Sequence, residues 1–153
     1  MKTRLGFVSN SSSSSFCIYG IQFDSYDEVL RSLQKSDKEF LHGFFVQFNN
    51  KYKRELEDNE IAEVTTIDEL INAINELGYD MWEFCDDLFK DDKIIRVHTG
   101  SEYNAGMVSI GREWRFIGDK ETGEEFKESI RKRLEYYFGK KLKLQTIEES
   151  FRC

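Results

Sequence analysis

The chain has 153 residues, a net charge of −7 and 39% hydrophobic residues, enough for one domain-sized core and too apolar for global disorder. Its 13 Phe and 7 Tyr supply aromatic core material, and the lack of proline leaves Gly and Asn to mark the turns. No run approaches the roughly 18 apolar residues of a membrane span. The three cysteines, Cys17, Cys85 and Cys153, are too widely spaced for a zinc site, so a soluble protein with reduced thiols is expected.

Lys2 and Arg4 are followed only by Gly6, Phe7 and Val8 before Ser9, Asn10 and the serines Ser11, Ser12, Ser13, Ser14 and Ser15. That apolar stretch is too short for an export signal. A serine run in isolation is coil, but this one lies between Phe7-Val8 and Phe16-Cys17-Ile18-Tyr19. Exposing such side chains costs about 1.5–3 kcal/mol for each large one. Both flanks are therefore expected to dock, with residues 16–23 as a strand and the serine-rich segment 1–15 held as a loop against the domain.

Ser25-Tyr26-Asp27-Glu28 has the capping-box pattern and opens a helix with Tyr26, Val29, Leu30 and Leu33 on one face. Phe40, Phe44, Phe48 and Tyr52 recur every four residues and predict a second helix over 40–52. Residues 55–63 are polar and acidic and read as a loop. Thr66-Ile67-Asp68-Glu69 opens a helix whose Ile67, Leu70, Ile71, Ile74 and Leu77 keep the helical period until Gly78. Asp80 caps a short helix carrying Met81, Phe84, Cys85 and Leu88 on its apolar face.

Residues 94–98 and 107–110 predict a hairpin, extended over 113–117 after a bulge or turn at Gly111. Thr122-Gly123-Glu124-Glu125 opens the last helix, lined by Phe126, Ile130, Leu134, Tyr137 and Phe138 and closed by Gly139. Leu142 and Leu144 alternate with lysine in an expected strand over 141–145, and 147–153 reads as a polar tail. The sum is a single α+β domain, a small mostly antiparallel sheet with helices packed on one side.

Arg4-x-Gly6-Phe7-Val8-Ser9-Asn10-Ser11-Ser12-Ser13-Ser14-Ser15-Phe16 resembles the start shared by small uncharacterised proteins of tailed bacteriophages and bacteria. Ile110-Gly111-Arg112-Glu113, Asp119-x-Glu121-Thr122-Gly123-x-x-Phe126-Lys127 and Ile147-Glu148-Glu149-Ser150 resemble the same group. The resemblance implies a phage or bacterial cytoplasmic setting. It supplies no activity, cofactor or catalytic residue.

Charge is segregated. Residues 55–92 hold 14 acidic side chains and one basic, Lys90, a local charge of −13, while the remainder carries +6. Asp86, Asp87, Asp91 and Asp92 offer oxygen ligands, yet their spacing lacks the pattern of a calcium loop, and they are read as surface. With Glu83 they are the expected contact surface for a basic partner. His98 with Glu102, Arg112 and Asp119 holds the raw materials of acid–base chemistry without any nucleophile motif.

Lys127, Arg131, Lys132, Arg133, Lys140, Lys141 and Lys143 form the basic concentration, interleaved with Glu124, Glu125, Glu128 and Glu135 as on a solvated helix face. Direct nucleic-acid binding is not expected from it. The leading functional expectation is a non-enzymatic phage accessory protein of the host cytoplasm, without cofactor or metal, that binds a basic or nucleic-acid-binding protein. The alternatives are an N-terminal serine tag for recognition or modification, a small enzyme around His98, and a virion component.

Overall fold

The structure, a computed structural model, describes residues 13–99 and 107–152. In chain order these form β1 (Ser13–Phe23), α1 (Tyr26–Ser32), α2 (Lys38–Lys51), α3 (Lys53–Asp58), α4 (Ile67–Glu76) and α5 (Met81–Phe89). Then follow β2 (Arg96–Thr99), β3 (Val108–Glu113), α6 (Gly123–Phe138) and β4 (Gln145–Arg152). The four strands make one antiparallel sheet in the order β2-β3-β1-β4. The architecture is α+β.

Strand alternation sends Tyr19, Ile21 and Phe23 of β1 to the same face as Val108 and Ile110 of β3. The helices pack over that face: Val29 and Leu30 of α1, Ile67, Leu70 and Ile74 of α4, Phe89 of α5 and Phe126, Ile130 and Leu134 of α6 join one core with it. On the opposite face Ile18 is buried beside its cross-strand partner Ile147.

Helix starts follow the sequence closely. The Ser25, Thr66 and Thr122 hydroxyls accept from the backbone N–H groups of Glu28, Glu69 and Glu125. Only Thr122 closes the full reciprocal box, with the Glu125 carboxylate accepting from the Thr122 N–H at 2.8 Å. Glu28 and Glu69 reach one residue further back, to the N–H groups of Asp24 and Thr65. Gly78, at φ +77°, takes the left-handed conformation expected just past α4.

Five expectations are corrected. Part of the presumed loop 55–63 is helix α3, because Leu56 turns inward, and the Ile61 N–H then bonds back to the Leu56 carbonyl at 2.8 Å. The Asn49 amide clamps the following segment by donating to the Val64 carbonyl at 2.9 Å and accepting from its N–H at 2.8 Å. Residues 141–144 are not a strand: Leu142 and Leu144 pack on the core without strand pairing. The presumed polar tail instead supplies β4, paired with β1 from Gly20↔Gln145 to Ser13↔Arg152.

β3 runs straight through Gly111 to Glu113 before a 3₁₀ turn, Trp114–Phe116, with neither bulge nor further strand. Of the serine leader, Ser13–Ser15 are strand rather than loop, and residues 1–12 lie outside the described residues, as do residues 100–106, where a hairpin turn is expected.

Gly20 and Gly111 face each other across β1 and β3. A Cβ on Gly111 would stand 2.2 Å from the Tyr19 carbonyl oxygen and 2.8 Å from the Gly20 Cα, so the strands need both positions bare. Gly43 in α2 has nothing within 4 Å of such a Cβ. Gly111→Ala is therefore expected to lower stability by about 1–3 kcal/mol or more, whereas Gly43→Ala raises it by about 0.5–1 kcal/mol. Urea unfolding of the two variants checks the opposite signs.

Candidate protein-binding surface

α5 carries the residues the sequence singled out. The Asp80 carboxylate accepts from the Trp82 N–H at 2.8 Å and starts the helix. Its core side then buries Cys85 and Phe89. Burial pushes the Cys85 thiol up to about 12, so it acts as packing and not as a nucleophile.

The opposite side of α5 holds Glu83, Asp86 and Asp87, all exposed, and Asp91 follows just beyond the helix end. Trp82, one helical turn before Asp86, has 45% of its surface exposed, and Tyr79, on the approach to the helix, is 40% exposed. Aromatic side chains of that size left in water beside charge are the usual makings of an interface hot spot.

Asp92 departs from the expectation. Its side chain is only 2% exposed and is fully engaged. One carboxylate oxygen accepts from the N–H groups of Ile94 and Ile95 at 2.8 and 3.0 Å. The other accepts from Arg133 Nε at 3.0 Å, Arg133 Nη2 at 2.5 Å and the Tyr137 hydroxyl at 3.0 Å. Burial alone would raise this carboxyl group, but the Arg133, Ile95, Ile94 and Tyr137 hydrogen bonds outweigh it and hold the group below its ordinary value. Asp92 is a structural carboxylate, not part of the contact surface.

Between α2 and α5 lies a groove of about 220 Å³. Phe44, Phe48, Tyr52, Phe84 and Leu88 make its walls, and Gln47, Lys51, Asp87, Lys90 and Asp91 complete its lining. The Phe48 ring lies 4.8 Å from Tyr52 and 5.9 Å from Phe84, centroid to centroid. Asp87 pairs with Lys51 at 3.8 Å and with Lys90 at 3.4 Å. These aromatics are legible in the sequence as apolar helix positions, but that they line a groove is not. The missed signal is width: α2 shows two apolar stripes, and Phe45 and Phe48 are its buried residues.

The alternative site is partly assembled. His98 and Arg112 line one cavity of about 310 Å³ together with Arg96, Glu113 and Phe116. Asp119 is exposed and does not line it, and Glu102 falls outside the described residues. Burial foremost lowers the His98 imidazole, which keeps it neutral at pH 7. Arg112 is committed to structure: it donates to Glu121 at 3.2 Å and to the Phe116 carbonyl at 2.7 Å, and it lies 4.7 Å over the Phe126 ring.

The basic run on α6 is similarly divided. Arg133 turns inward to Asp92, Lys127 lies over the Tyr19 and Trp114 rings at 5.5 and 6.0 Å, and Arg131 pairs with Glu128 at 3.6 Å. Among the described residues no three or more His, Cys, Asp or Glu side chains are grouped to hold a metal ion, and no helix is long and apolar enough to cross a membrane.

Because the folded value of Asp92 is lowered, its contribution is fully present above the unfolded value of about 3.9 and is lost as pH falls through the folded value. Asp92→Ala, which strands Arg133 and two backbone donors, is expected to cost about 3–5 kcal/mol at pH 7. The difference between wild type and variant should shrink below about pH 4. Urea titrations from pH 7 to pH 2 check both the size and the direction.

Comparison with protein-family models, with curated proteins and with solved structures gives no match to this chain.

Proposed function

We propose that the chain is a non-enzymatic phage accessory protein that binds a basic protein through the acidic face of α5. The observation that carries this reading is Trp82, 45% exposed on a helix whose solvent side presents Glu83, Asp86 and Asp87. An apolar anchor beside charge of one sign supplies both halves of a recognition surface. The carboxylates attract and orient a basic partner from a distance, and the indole is buried on contact.

The charge distribution of the whole chain supports the same partner. A segment of local charge −13 inside a molecule whose remainder is +6 makes a directional field, and that field favours a partner rich in Lys and Arg. Proteins that bind nucleic acid have such surfaces, and an acidic face docked on one competes with phosphate for the same cations. The resemblance of residues 4–16 to phage and bacterial proteins supports action in the cytoplasm of a bacterial host.

The test is affinity capture from infected cells in parallel with two variants. Glu83→Gln/Asp86→Asn/Asp91→Asn, which alters only exposed positions and leaves Asp92 in place, is expected to lose a basic protein that wild type retains. Trp82→Ala is expected to weaken the same complex by about 2 kcal/mol or more. Raising salt should weaken the wild-type complex. Equal recovery of that protein by wild type and the triple variant, both shown folded by thermal melting, contradicts the reading.

A further inference from the structure

We infer that the groove between α2 and α5 receives an arginine side chain of the partner, an inference that rests on the acidic-face reading above. Four aromatic rings, Phe44, Phe48, Tyr52 and Phe84, line a space of about 220 Å³, with Lys51 on its α2 side and Asp87, Lys90 and Asp91 on its α5 side; Asp87 is already paired with Lys51 and Lys90, which leaves Asp91 as the lining carboxylate without an ion pair among the described residues. The rings meet at an angle, 44° for Phe48 with Tyr52, 54° for Phe44 with Phe84 and 74° for Phe48 with Phe84; an aromatic face attracts an organic cation through its quadrupole, and an acid beside it supplies the counter-charge. An apolar occupant would gain nothing from Asp87 and Asp91.

The chain itself shows where such a cation sits. The Lys51 ammonium lies 5.3 Å from the centroid of the Tyr52 ring and 3.8 Å from the Asp87 carboxylate, at the groove's edge. Lys51 is thus a tethered stand-in, exposed and weakly held, for a cation brought from outside. Asp91 makes no ion pair among the described residues and remains open to accept one.

The preferred occupant is a guanidinium rather than an ammonium. A planar, weakly hydrated guanidinium stacks on aromatic faces and at the same time donates in a fork to a carboxylate, which a strongly hydrated ammonium does less well.

Octa-arginine and octa-lysine titrated into the full chain by calorimetry at low salt test this. Octa-arginine is expected to bind about fivefold more tightly than octa-lysine. Asp91→Asn should weaken octa-arginine by about fivefold, and by more than Asp119→Asn, an equal charge change outside the groove. Lys51→Gln, which removes the stand-in, should strengthen octa-arginine by more than Lys38→Gln does. Phe84→Leu, kept only if its thermal melt is cooperative, should erase the preference for arginine.

Equal binding of the two peptides, with Asp91→Asn and Lys51→Gln no different from their controls, would overturn the groove while leaving the acidic face as a general attractor. Failure of both peptides to bind would overturn the groove and the acidic-face reading together.

Discussion

The arrangement depends on one carboxylate. Asp92 stands where α5 ends and the chain turns toward β2, and its two oxygens collect donors from two directions: the backbone of Ile94 and Ile95 on one side, and Arg133 and Tyr137 of α6 on the other. Arg133 also donates to the Tyr137 hydroxyl at 3.0 Å, so the three side chains form a closed set with each member satisfied. A buried acid so engaged adds little net stability over an apolar substitute of the same shape, but removing one partner is costly because the other is left charged and dry. Its structural effect is to fix the end of α5 against α6 and the start of β2. The outward face of α5 then has a defined direction.

That fixed helix serves two media at once. Phe89 and Cys85 join the core, while Glu83, Asp86 and Asp87 stay in water with the exposed Trp82 at the edge of their face. Adjacent acids on a short helix repel one another by a few tenths of a kcal/mol each, so local helix stability does not account for them. They persist because core packing on the other face supplies the stability, leaving the outer face free to carry charge. The groove beside α2 has the same origin. The aromatic surface of α2 is wider than the core requires, and the excess lines a space rimmed by ions.

Much of this was legible in the sequence because it is local. The Ser25, Thr66 and Thr122 caps, the Phe repeat of α2 and the stop at Gly78 each follow from a few neighbouring residues. Elements held by distant partners were not. β4 has no apolar alternation to announce it, and it is a strand because β1 extends back to Ser13 and offers a backbone edge for it to pair with. α3 owes its place to Leu56 alone among charged neighbours.

The acidic site was half legible for the same reason. Composition located the carboxylates, but nothing in the spacing of Asp86, Asp87, Asp91 and Asp92 told which one would meet Arg133, 41 residues further on. The aromatic groove was hidden because a ring lining a crevice and a ring filling a core leave the same trace in a periodic pattern.

The central claim is that Trp82 stands in water within a field of negative charge, and ionic quenching of its fluorescence tests that directly. The chain has two tryptophans, and Trp114 is stacked on Phe126 at 4.5 Å with its indole N–H donating to the Thr146 hydroxyl. The quenching lost on changing Trp82→Phe therefore isolates the exposed ring. With each ion's quenching expressed relative to its quenching of free N-acetyltryptophanamide, the account predicts that caesium quenches that component more strongly than iodide at low salt, and that the difference narrows as inert salt is added. A component whose relative quenching is equal for both ions, or stronger for iodide, would contradict it.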